Sequence, residues 1–148
     1  MEWMLLPYKR YAEFDGRSRR MEYWMFSLFS LIVMALCLGL MFGGGLNFSQ
    51  IESGQDPEFG ILFWIGAVVF SIFVLGSIIP SIALTIRRFH DRDMSGWWYL
   101  GFIVLGMIPI VSTISSIANL VIMALPGTAG ANRFGDDPLN PTSADVFS

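Results

Sequence analysis

Residues 59–92, FGILFWIGAVVFSIFVLGSIIPSIALTIRRFHDR, decide the fold. From Phe59 to Ile86 the run carries no charged side chain, and at Arg87 it stops abruptly on a cluster of bases. A helix needs about 20 apolar residues to cross a hydrocarbon core of about 30 Å, and this run exceeds that. Lipid offers the backbone no hydrogen-bond partners, so such a run must be helical rather than an open strand.

The same pattern recurs on both sides. No Asp, Glu, Lys or Arg occurs between Glu22 and Glu52, or between Asp93 and Arg133. Only 14% of the 148 residues are charged and 54% are hydrophobic, whereas soluble domains carry about 25% charged residues. A soluble fold with three such blocks would need a polar shell that this composition does not supply. The first block is too long for the core of a signal peptide and no A-x-A-like cleavage site follows it, so it is expected to be retained as an anchor.

The predicted fold is therefore all-α, a polytopic membrane helix bundle forming one membrane domain over residues 1–148. Residues 1–20 form a cytoplasmic interfacial segment in which Asp15-Gly16 turns the chain and Ser18 can cap the helix that follows. Glu22, in the first turns of that helix, offsets the neighbouring arginines at the positive end of its dipole. Membrane helices are predicted at 21–44, 59–86 and 97–125, with an irregular polar tail at 126–148. The third block would be about 43 Å long as one helix, long for one crossing and short for two with a turn. It is read as a third span broken or kinked at Pro109, with four helices and a short hairpin there as the alternative.

Lys and Arg set the orientation. Residues 1–20 hold five of them, the acidic loop 45–58 none, residues 87–93 three, and the tail one. This places the N-terminus in the cytoplasm of a bacterial inner membrane, with the Arg87–Asp93 loop on the same side. Three crossings put the tail outside; a hairpin returns it to the cytoplasm.

Several residues are candidates for contacts. Arg17, Arg19, Arg87, Arg88 and Arg92, with His90 and Asp91, are candidates for contact with an anionic lipid headgroup or a partner, because cations here border apolar surface. The competing reading pairs these charges with one another at a helix end, with Trp97 and Trp98 as interfacial anchors. His90 has an ordinary pKa near 6.5 and is a candidate pH-responsive group. Gly39 and Gly43 form a GxxxG pair suited to helix packing. Ser77 and Ser81, with Thr85, share one face of the second block; Ser112, Ser115, Ser116 and Asn119 share another in the third. These polar faces are read as interhelical hydrogen bonding rather than a conducting path. Asn132, Arg133 and Gly135 form a tail motif, whose glycine-rich approach lacks the G-K-[ST] ending of a phosphate loop. Cys37 reads as a small packing residue.

Other classes are excluded on simple grounds. A net charge of −3 argues against a nucleic-acid partner. One Cys and one His leave no basis for a metal site or a disulfide framework. No ionisable group lies deep in a span, where pumps usually keep one. No catalytic residue and no cofactor is assigned.

The motifs together resemble a family of small bacterial inner-membrane proteins, the YhaH-like proteins of domain of unknown function 805. The matching residues are Phe14-Asp-Gly-Arg17-Ser-Arg19 leading to Glu22-Tyr-Trp24, then Ile79-Pro80, then Arg87-Arg88-Phe89-His90-Asp91 with Ser95-Gly96-Trp97-Trp98. Pro126-Gly127-Thr128, Asn132-Arg133-Phe134-Gly135 and Asp137-Pro138 complete the set. The resemblance implies a polytopic inner-membrane protein and brings no established activity. The expected function is non-enzymatic: an accessory subunit or assembly factor associating with anionic lipids, other membrane subunits or copies of itself. A small transporter, channel or lipid-handling protein is the alternative.

Overall fold

The computed structural model of the chain describes residues 2–44, 54 and 58–140. The acidic loop expected at 45–58 lies almost wholly outside the described residues, as does the end of the tail. The described residues contain five helices: α1 (Glu2–Lys9), α2 (Arg20–Gly44), α3 (Ile61–Asp91), α4 (Trp97–Gly106) and α5 (Pro109–Ala124). They fall into two compact units, Ser27–Ile78 in one and Met1–Phe26 with Ile79–Ser148 in the other.

At 25 and 31 residues, α2 and α3 are long and apolar enough to cross a membrane. Their lengths, about 37 and 46 Å at 1.5 Å per residue, exceed a hydrocarbon core. Within Ser27–Ile78 the two helices run antiparallel. Phe29 meets Phe73 edge-to-face at 6.1 Å and Phe42 meets Phe63 at 6.2 Å.

The close approach in this unit occurs at Gly66. A Cβ there would meet the Met41 side chain and the Cys37 carbonyl oxygen, the latter at 3.2 Å. The GxxxG pair does not carry the packing: a Cβ on Gly39 or Gly43 would meet nothing within 4 Å. Both glycines lie on exposed faces, so the helix contact has to be made by other residues. Cys37 is buried, consistent with a packing role.

The third apolar block is two helices. α4 ends at Gly106, and Pro109 occupies the first turn of α5, where its missing N–H costs nothing. The helices fold back on each other, since Ser115 Oγ donates to the Phe102 carbonyl at 3.3 Å. In one continuous helix those residues would stand about 20 Å apart. The hairpin is thus the form the block takes. Arg88 Nη2 donates to the carbonyls of Met123 and Leu125, both at 3.0 Å, so the end of α5 returns to the end of α3. Ala83, Leu84, Phe89 and Met123 are all but inaccessible and form the apolar centre of this unit. Phe89 stacks on Phe102 of α4.

α3 continues through Pro80 and ends in a Schellman motif. The Met94 amide donates to Phe89 O and the Asp93 amide to His90 O, both at 2.9 Å, with Asp93 in the left-handed region at φ 57°.

Replacing Gly66 by Val should overpack this contact and lower stability by about 1–3 kcal/mol. Gly39→Ala should leave stability unchanged or raise it by about 0.5–1 kcal/mol, since Ala is the better helix former. Thermal unfolding in mild detergent compares the two, and equal losses would show that the helices do not pack through Gly66.

Candidate functional site

The sequence motifs that stand far apart in the chain converge in the unit built from Met1–Phe26 and Ile79–Ser148. At its centre is Asp91, the last residue of α3, which is 4% exposed although charged. One carboxylate oxygen accepts from Arg17 Nε at 3.0 Å, and the other pairs with Arg88 Nη1. A buried carboxylate is tolerable only with such compensation.

Arg17 does more than neutralise Asp91. Its Nη1 donates to the Gly130 carbonyl and its Nη2 to the Thr128 carbonyl, both at 2.6 Å. Asp91 reciprocates from its backbone: its carbonyl accepts from the Thr128 amide at 2.8 Å. The tail packs so closely here that a Cβ on Gly127 would collide with the Asp91 carboxylate. Only glycine fits between the tail and the end of α3.

Arg87 ties down the N-terminal segment instead. Nε donates to Ser18 Oγ at 2.9 Å, Nη1 to the Glu13 carbonyl at 3.0 Å, and Nη2 to Glu22 Oε1 at 3.1 Å. Ser18 was expected to cap α2. Its hydroxyl serves Arg87, and its carbonyl accepts from Arg88 Nη1 at 3.2 Å. Glu22, read from sequence as a partner of the helix dipole, is buried at 2% exposure as the counterion of Arg87.

His90 is enclosed as well. Its ring stacks on Phe134 at 3.9 Å between centroids, and Nδ1 lies 3.2 Å from the Gly16 carbonyl. That partner requires the Nδ1–H tautomer. Asn132 donates through Nδ2 to the His90 carbonyl at 2.9 Å and to Thr128 Oγ1 at 2.9 Å. It also closes a turn on Gly135, with which it forms a β-bridge. Arg133 reaches back to the Asp93 carbonyl at 2.6 Å. The carboxyl of Asp137 is held below the usual carboxylate range by the amides of Leu139 and Gly130. Nearby, Arg10 holds Glu13 low in the same sense through a direct hydrogen bond.

Arg17, Arg87, Arg88, His90 and Asp91 are therefore brought together with the tail motif as an internal staple. Arg92 joins at the edge, donating to the Pro126 carbonyl at 3.0 Å. Trp97 and Trp98 are exposed at 77% and 56%, as anchors would be. Arg19 lies over the Trp3 ring at 5.4 Å, outside the staple. Two side chains of the polar helix faces bond within their own helices: Thr85 donates to Ser81 O and Ser112 to Pro109 O. Ser116 is exposed, and the buried Asn119 Oδ1 finds no partner among the described residues. Ser115 makes an interhelical bond, to the Phe102 carbonyl. Among the described residues no group of three His, Cys, Asp or Glu side chains is placed to hold a metal.

Sequence reading missed Glu22, Ser18 and Gly127 as parts of this cluster. Glu22 left one signal: a lone carboxylate heading an apolar helix needs a buried cation.

The family described as "Protein of unknown function (DUF805)" matches residues 11–136, a range that contains Arg17, Arg87, Arg88, Asp91 and the tail motif. The inner membrane protein YhaI of Escherichia coli (strain K12) is 36% identical over 138 residues, covering 93% of this chain and 96% of that protein. The inner membrane protein YhaH of the same strain is 38% identical over 138 residues, covering 93% and 97%. No solved structure matches the chain.

Asp91→Ala should cost about 3–5 kcal/mol, because it strands two buried guanidinium groups. Glu13→Gln, breaking an exposed pair, should cost no more than about 1 kcal/mol. Arg17→Lys should fail to restore stability, since an ammonium cannot reproduce the planar fork that reaches Asp91, Thr128 and Gly130 together. Detergent thermal melts of the three variants read this directly; a wild-type melt for Asp91→Ala would refute the staple.

Proposed function

We propose that this chain, which belongs to the DUF805 family, is a non-enzymatic multi-pass subunit of the inner membrane that works by association, as an accessory or assembly factor. Its relatives are named inner membrane proteins, and the chain shares that location. One observation carries the associative reading. Only 11% of the apolar window of α2, and 11% of that of α3, is buried within the chain itself. The rest needs lipid or partner helices to cover it, and the motif residues are already committed to holding the protein together.

The same arrangement favours a specific topology. α4, at about 15 Å, is too short to cross a hydrocarbon core of about 30 Å. We therefore read α2 and α3 as the crossings and α4–α5 as a hairpin that enters and returns. The N-terminal segment, the Arg87–Asp93 turn and the described tail then share one side. All nine Lys and Arg residues lie in those three segments, so the positive-inside rule makes that side cytoplasmic.

Two measurements test the reading. Purified in mild detergent, the full chain should co-migrate with other membrane subunits or with copies of itself; a strictly monomeric, partnerless protein would overturn the associative role. Lys9→Cys and Leu139→Cys should both resist a membrane-impermeant thiol reagent added to intact spheroplasts and react once the membrane is opened. Labelling of Leu139→Cys alone in intact spheroplasts would place the tail outside and remove the hairpin topology.

A further inference from the structure

One concavity of the staple's unit is walled in part by the staple, yet two of its cations lie outside the staple's ion pairs. It has a volume of about 740 Å³ and opens between the start of α2 and the tail. Trp3, Met21, Trp24 and Leu139 supply an apolar rim, and Arg19 and Arg20 supply the cations. The two kinds of surface meet in one space, which is the recognition problem posed by a molecule with a charged head and an apolar body.

The charges in the walls are not equivalent. Arg17 and Asp91 also face the cleft, but they are paired with each other. Asp137 draws on Arg17 and Arg19 electrostatically, and its carboxyl is already held by backbone amides. Among the described residues neither Arg19 nor Arg20 forms an ion pair. Arg19 rests on the Trp3 ring, and Arg20 makes only a long 3.4 Å contact with the Ala124 carbonyl. The walls hold three guanidinium groups against two carboxylates, a balance of +1.

The rim argues for what fills the space. Met21 and Trp24 are exposed at 57% and 42%, on the first turns of a helix that then continues as an apolar span. A ligand whose head sits on Arg19 and Arg20 can lay its apolar portion along that same helix surface. Free phosphate would use the cations and leave the aromatic rim bare. A zwitterionic phospholipid would offer the same phosphate but bring its own ammonium up to a cleft that is already positive, cancelling most of the attraction.

We infer that this cleft binds an anionic phospholipid, its phosphate held by Arg19 and Arg20 and its glycerol and first methylenes packed between Trp3, Met21, Trp24 and Leu139. The inference rests on the membrane placement above but not on any protein partner. The lipid would seat at the cytoplasmic face, where it adds affinity for the anionic leaflet without disturbing the staple.

The test uses the full-length protein in neutral detergent and native mass spectrometry, with phosphatidylglycerol, phosphatidylcholine of the same chains, and inorganic phosphate as separate probes. Wild type should retain phosphatidylglycerol in preference to phosphatidylcholine. Each of Arg19→Gln and Arg20→Gln should weaken that retention roughly fivefold, taking about 1 kcal/mol per basic residue at an anionic surface. Arg19→Lys, which keeps the charge, should retain most of it. Lys9→Gln, the same charge change at an exposed position outside the cleft and the staple, should leave it intact. Thermal melts of Arg19→Gln and Arg20→Gln should match wild type, separating lost binding from lost folding.

Equal retention of the two lipids, or an equal loss in Lys9→Gln, would overturn the site. Occupancy by inorganic phosphate without lipid selectivity would overturn the lipid as its ligand. Subunit co-migration measured on the same samples should be unchanged by Arg19→Gln, so failure of the lipid site and failure of the associative role are told apart.

Discussion

Asp91 is the residue on which the rest depends. A carboxylate at 4% exposure is unfavourable unless cations meet it, and Arg17 and Arg88 do so from two directions. Because Arg17 precedes α2 and Arg88 lies in α3, neutralising one carboxylate fixes two distant segments together. Arg88 then extends to the carbonyls at the end of α5, and Arg17 to those of the tail. Four separate pieces of chain meet around one side chain.

The charge count of this interior explains its construction. Arg17, Arg87 and Arg88 are buried against only Glu22 and Asp91, leaving one positive charge in excess. Backbone carbonyls absorb that excess. The last carbonyls of a helix lack intrahelical partners and stand at the negative end of its dipole, and Arg88 occupies that place for α5. Carbonyls of irregular segments, at Glu13, Thr128 and Gly130, are served likewise. Near a membrane such groups cannot rely on water, so a side chain with five fixed donors is the economical way to satisfy them. This is why the cluster is built from arginine and why lysine is absent from it.

How much of this was legible beforehand follows from the range of each interaction. The spans were readable because lipid acts on every residue of a run at once, and Glu22–Glu52 or Glu58–Arg87 leaves no doubt about solvent. The break at Pro109 was visible, but the choice between a kink and a hairpin rests on Ser115 meeting Phe102 and on Arg88 meeting Met123, contacts that composition does not encode. The cluster was half visible. Arg87, Arg88, His90 and Asp91 were singled out and self-pairing was one of two readings, yet Glu22 and Ser18 had local explanations that looked sufficient. The GxxxG pair makes no close contact within the chain. Gly39 and Gly43 had the right spacing, but which face of a helix meets its neighbour is decided by both helices, and Gly66 on the other one made the approach.

The residues that make the family recognisable are thus largely spent on architecture. Arg87 and Arg88 are as inaccessible as the apolar centre beside them, so neither can greet a partner without unfolding the unit. A motif of charged residues in a membrane protein invites a reading as a binding or proton-handling site; burial, and hydrogen bonds that leave only the Nε of Arg88 and of Arg92 unmet among the cluster's guanidinium groups, argue for scaffold instead. What remains available for function is the surface the staple leaves uncommitted: the apolar faces of α2 and α3, and the basic cleft beside Trp3 and Trp24. Those surfaces are chemically complementary to a bilayer, its anionic headgroups and other helices within it. Residues outside the staple, beginning with Arg19 and Arg20, are accordingly where a change should alter what the protein associates with while leaving its fold intact.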